Sequence, residues 1–86
     1  MKASINIDKT AATPKLFGTL GVINKPYTAA VALTGPDDRT DNFVVPDTGT
    51  DQWEFKLTNC PPGEYEALIH SLQTGAFEST RLSFTL

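Results

Sequence analysis

Apolar and polar residues alternate with a period of two along most of this chain, the spacing of strands with one buried and one wet face. The clearest stretch is 53–69. Trp53, Phe55 and Leu57 alternate with Glu54 and Lys56, residues 58–63 break the pattern with an asparagine, two prolines and a glycine, and Tyr65, Ala67 and Ile69 resume it. This reads as two strands, residues 52–57 and 64–71, joined by a proline-rich corner with a tyrosine just beyond it. Trp53, Phe55, Leu57, Cys60, Tyr65, Ala67, Ile69 and, further on, Phe84 are the expected core and corner residues.

The rest of the chain follows the same rule. Ala3, Ile5 and Ile7 alternate with Ser4 and Asn6, which predicts a first strand over 3–8. After a polar connection closed by Pro14, residues 15–23 form a second extended run. Leu16, Leu20 and Val22 face one way there, Phe17 and Ile23 the other. Gly18 inside the run predicts a bulge or a close approach of backbone. Asn24-Lys25-Pro26 is a turn. The third strand spans 27–33 with Ala29, Val31 and Leu33 on one face, the fourth 42–45, and the last 79–86 with Leu82, Phe84 and Leu86 alternating with polar residues. Residues 72–75 read as a hairpin turn, and the loops at 35–41 and 46–51 are rich in turn formers. No stretch of about 10–12 residues keeps a helical stripe, so no helix longer than one turn is expected. Seven short strands separated by turn signals predict an all-β domain over residues 1–86, a sandwich or a small barrel.

Charge and composition narrow the chemistry. A formal net charge of −3 argues against nucleic acid, which needs a basic surface, and supplies no polybasic signal for anionic membranes. No run approaches the ~20 apolar residues of a membrane span. Met1-Lys2 leads into no signal-like apolar segment, so synthesis in the cytoplasm is expected, either of this chain alone or of a longer one from which it is cut. Cys60 is the single cysteine. It can form no intrachain disulfide and reads as a small buried residue of the corner. His70 is the single histidine; its parity is opposite to that of Tyr65, Ala67 and Ile69, so it faces away from the core. No nucleophile–base pair is in view, and no catalytic residue or cofactor is assigned. Asp37, Asp38, Asp41, Asp47 and Asp51 are the candidate calcium ligands, because oxygen-rich loops at one end of a sandwich can hold the ion. Their spacing does not match an EF-hand loop, and turn formation accounts for them as well, so no metal site is assigned. Phe17, Tyr27, Phe43 and Phe77 fall off the core faces and are the candidate platforms for stacking a sugar. Glu54, Glu64 and Glu66 read as a solvated sheet face.

From about Leu16 to Leu86 the chain resembles the bacterial immunoglobulin-like domains. Leu16-Phe17-Gly18-Thr19-Leu20 is similar to the φ-x-Gly-Thr-φ of their early strand. Gln52-Trp53-Glu54-Phe55-Lys56-Leu57 is similar to their x-Trp-x-Phe-x-Leu. Pro62-Gly63-Glu64-Tyr65 with Ala67 and Ile69 looks like their Gly-x-Tyr-x-φ-x-φ, and Ser83-Phe84-Thr85-Leu86 like their closing strand. The resemblance implies a seven-stranded antiparallel immunoglobulin-like or fibronectin-III-like β-sandwich with Greek-key connections. It also implies a tyrosine corner in which Tyr65 reaches back to the backbone near residues 59–62. A single copy that begins with Met1 and has no disulfide is similar to the small accessory proteins that decorate heads or tails of tailed bacteriophage particles. The implied function is a non-catalytic structural or interaction module assembled into such a particle, with protein partners or further copies of itself. The alternative is an adhesin or carbohydrate-binding module of a longer surface protein. The terminal strands, 3–8 and 80–86, carry little charge and no proline, so they are the edges expected to associate.

Overall fold

The computed structural model describes residues 2–10, 12–21, 28–46, 50–72 and 77–86. Among these residues the chain is all-β, without a helix: β1 (Asn6–Asp8), β2 (Lys15–Thr19), β3 (Ala29–Thr34), β4 (Thr40–Val44), β5 (Gln52–Lys56), β6 (Glu64–Ser71) and β7 (Thr80–Thr85). Two antiparallel sheets result, one in the order β1-β2-β5 and one in the order β4-β3-β6-β7. β6 has the boundaries that alternation and turn residues predict. β4 starts two residues earlier than expected, at Thr40, and β1 is regular only from Asn6. The predicted turn at 24–26, and Val22, Ile23 and Tyr27, lie outside the described residues; so does the hairpin turn beyond Leu72.

Buried side chains from both sheets form one cluster. Leu16, Trp53 and Leu57 come from or border the three-stranded sheet; Val31, Leu33, Tyr65, Ala67, Ile69 and Phe84 come from the four-stranded one. Leu16, Leu20, Val31 and Ile69 are shielded almost completely, and each such side chain stabilises the fold by about 1.5–3 kcal/mol. Phe77, expected off the core, is buried within the cluster. It precedes β7, and the parity of a strand does not extend into a connection.

The first residues do not continue β1 as a plain strand. The Ala3 amide donates to the Glu78 carbonyl, while the next amide, of Ser4, donates to Thr19. Ala3 therefore ties into the segment leading to β7, and Ser4 ties into β2. The cause is Gly18. A Cβ at this position would overlap the Ser4 carbonyl oxygen, so only glycine lets the Ser4 backbone lie this close. Trp53 stands opposite Gly18 in the β2–β5 register, and its indole N–H donates to that same Ser4 carbonyl at 3.0 Å. A buried tryptophan needs such a partner. Ser4 Oγ accepts the Thr19 amide at 2.8 Å, and Thr80 Oγ1 donates to the Ala3 carbonyl. At the other end of β1, Asp8 accepts bonds from the hydroxyl and the amide of Thr10. Those two bonds, the hydroxyl first, hold its carboxyl below the ordinary value.

Candidate functional site

The corner between β5 and β6 is built by proline, glycine and tyrosine together. Gly63 has φ 144°, in the region that side chains rarely enter, and a Cβ there would overlap the Pro36 ring. The absent side chain lets the β3–β4 turn close over the corner. The Tyr65 hydroxyl donates to the Pro61 carbonyl at 2.5 Å, inside the stretch named by the corner motif, and its ring stacks on Phe84 with centroids 5.6 Å apart. Burial, helped by the charges of Cys60 and Asp37, lifts the Tyr65 hydroxyl above its ordinary value, so it stays a donor through the neutral range. Tyr65→Phe is expected to cost about 1–2 kcal/mol, because the Pro61 carbonyl loses its donor. Urea titration checks this; an unchanged midpoint would mean that the bond carries no stability.

Cys60, expected to be a small buried residue of the corner, is only half-buried. Its sulfur sits 3.8 Å from the Thr58 carbonyl, and burial pushes the thiol up, which keeps the nucleophilic thiolate scarce at neutral pH. Phe55 is likewise half-buried. It reaches the margin of the core and meets Phe43 there, at a centroid distance of 5.0 Å. His70 is half-buried on β6, opposite Ala30.

The structure separates the candidate calcium ligands. Asp37, Asp38 and Asp41 lie at or near the start of β4, whereas Asp51 follows its far end, and five strand residues span about 16 Å. Asp51 therefore stands at the opposite end of β4 from Asp37, Asp38 and Asp41 and shares no site with them. Asp47 lies outside the described residues, and among the described residues no three His, Cys, Asp or Glu side chains are grouped to hold a metal. The aspartates serve local structure instead. Asp37 accepts the Arg39 amide, Asp38 takes the left-handed conformation at φ 61°, and Asp41 pairs with Arg39 at 3.6 Å.

Two surfaces remain. The first is the outer face of the three-stranded sheet, where a groove of about 640 Å³ runs past Asn6, Phe17, Thr19, Gln52 and Glu54. The pairing Asn6–Phe17–Glu54 across the three strands puts Phe17, 38% exposed, at its centre. Lys15 and Glu54 form an ion pair at 3.3 Å beside it. An open aromatic ring among amides and hydroxyls offers stacking and hydrogen bonds to a flat polar ligand.

The second surface is a strand edge. The sheets end in β1 and β5, and in β4 and β7. The two terminal segments are tied to each other at two places on one side of the molecule: Lys2 bridges in parallel to Glu78, Ala3 bonds Glu78, and the Lys9 ammonium donates to the Thr85 carbonyl. β7 also carries Arg81, paired with Glu66 at 3.0 Å. On the opposite side, β5 is guarded by the charges of Glu54 and Lys56 and by the Thr50 hydroxyl, which accepts the Gln52 amide. β4 differs from all of these. Every one of its residues is exposed. The Val45 amide bonds Ala29, and the Gly35 amide bonds Arg39. In an antiparallel ladder such bonds recur at every second residue, so the backbone groups of Asp41 and Phe43 face β3, and those of Thr40, Asn42 and Val44 face outward. Among the described residues no backbone group bonds them there. Their side chains are uncharged, and Val44 is 65% exposed.

Sequence reasoning missed this edge because Thr40 and Asp41 read as loop. The available signal was the short run 42–45, whose Asn-Phe-Val-Val lacks the charge or proline that guards an edge. Comparison of the chain with protein-family models, with curated proteins and with solved structures finds no match.

Proposed function

We propose that the two sheets pack face to face as an immunoglobulin-like sandwich with Greek-key connections, and that the chain is a non-catalytic interaction module of a phage-like particle. The single buried cluster shared by both sheets supports the packing. The chain crosses between sheets after β2, after β4 and after β5, which supports a Greek-key path. In constant-type immunoglobulin domains the fourth strand pairs with the fifth; here β4 pairs with β3 instead, which favours the fibronectin-III-like variant.

The observation that carries the interaction reading is the exposed β4 edge, whose outward-facing backbone belongs to three uncharged residues, Thr40, Asn42 and Val44. Natural sheets rarely leave such an edge without a use, and strand addition to an edge is a recurring mode of protein recognition. Mass spectrometry of particles purified from the source of this gene is expected to find the chain in fixed proportion to the capsid or tail proteins. Intact particles without it would overturn the particle reading. The Phe17 groove favours the second reading, a carbohydrate-binding module. Retention on immobilised neutral oligosaccharide, lost on Phe17→Ala, would move the assignment there.

A further inference from the structure

We infer that β4 is a self-pairing edge, and that two copies of this chain join through antiparallel β4–β4 contact into one continuous sheet of the two four-stranded halves. The inference rests on the reading of the chain as an interaction module and names the partner: a second copy.

Backbone geometry limits how two such edges can meet. Thr40, Asn42 and Val44 turn their N–H and C=O groups outward, so they must pair with the same three residues of the second copy. A two-fold axis through Asp41 would set two aspartates directly opposite each other, and like charges so placed repel. An axis through Phe43 would leave Thr40 without a partner. An axis at Asn42 leaves none unpaired: Asn42 meets the second copy's Asn42, and Thr40 meets its Val44. On the other face, Asp41 then lies opposite the second copy's Phe43, so the two aspartates are only diagonal neighbours, about 7–8 Å apart, instead of directly opposed. Thr40 and Val44 are both β-branched, a type that fits cross-strand pairing. The exposed Val44 side chain is covered in the process. The two-fold symmetry makes the contact self-limiting, a closed dimer rather than a fibre.

The test is sedimentation velocity over a wide concentration range, with the wild-type chain and two variants. The wild type is expected to shift from the mass of one chain to twice that value as concentration rises. Val44→Lys places a charge on the edge at a side chain already in water. Asn42→Pro removes an outward N–H that no described group uses, a position where an edge strand tolerates proline. Both variants are expected to stay monomeric at every concentration, with the wild-type circular dichroism spectrum. If Asn42→Pro fails to fold, Val44→Lys decides alone. In a Cys60→Ser background, Asn42→Cys is expected to form an interchain disulfide under mild oxidation, because a directly opposed hydrogen-bonded pair holds its Cα atoms about 5.5 Å apart. A wild type that is monomeric throughout, or a dimer that survives Val44→Lys, would overturn the self-pairing edge. A monomer still recovered from purified particles would do so while leaving the module reading in place. A β4 dimer absent from particles would do the reverse.

Discussion

Gly18→Val is expected to lower the unfolding free energy by about 3–4 kcal/mol, from two costs that arise together. The first is steric. The new Cβ would overlap the Ser4 carbonyl, which is backbone held on both sides by the bonds of Ala3 to Glu78 and of Ser4 to Thr19. It cannot swing away as the end of a flexible side chain could. The second is polar. If Ser4 is pushed outward, the Trp53 indole loses its acceptor while its ring stays in the core, and an orphaned buried donor costs about 1–3 kcal/mol. A chain of this length has roughly 4–13 kcal/mol in total, so the variant should unfold at much lower urea. Gly18→Ala carries the same clash with less bulk and should fall between the two. A Gly18→Val midpoint equal to wild type would show that Ser4 can withdraw freely, and that the three-way contact with Trp53 contributes nothing.

Removal of residues 1–8 should be more damaging still, at about 4–6 kcal/mol. Ala3 and Ile5 are buried, so truncation uncovers the core surface they shield. It also removes the Ser4 acceptor from Trp53, the Ala3 acceptor from the Thr80 hydroxyl and the β2 ladder partner. Loss of so much of the available stability should leave much of the truncated chain unfolded at 25 °C, visible as lost near-ultraviolet signal from Trp53. A cooperative transition at the wild-type midpoint would show that the first strand is an ornament. Because the same segment pairs with β2 and bonds the start of β7, the experiment also bears on association. A truncated chain that folds and gains new self-association would do so through the uncovered edge of β2 or the freed start of β7, whereas the β4 contact should be unchanged.

Period-two alternation made β5, β6 and β7 legible, because one face of each is more deeply buried than the other, while β3, none of whose residues is exposed, was legible as an apolar run. β6 could be read to its boundaries, since turn residues stop the alternation at its start. β4 could not be read in full: all five of its residues are exposed, so burial imposes no alternation on them. The first strand failed for another reason. Parity shows that Ala3, Ile5 and Ile7 share a face, but not which sheet each backbone group joins, and that is decided by Gly18, distant in sequence. The loop aspartates were legible as turn formers, while their position at opposite ends of β4 depends on strand order. The bond from Tyr65 to Pro61 is the most local of these features, a reach of four residues, and a motif of neighbouring residues suffices to point to it.

The seam between the first residues and β7 has a mechanical meaning. Lys2 lies beside Glu78, Lys9 reaches Thr85, and Leu86 follows directly, so the two ends of the described chain leave the seam at opposite extremities. Tension drawn between Lys2 and Leu86 therefore runs lengthwise along it. The attachments at Ala3 and Lys9 bear that load in shear, together, instead of opening one after another like a zipper. The domain is thus built to resist pulling along its length better than peeling from the side, an advantage for any component fixed at both ends in an assembly under strain.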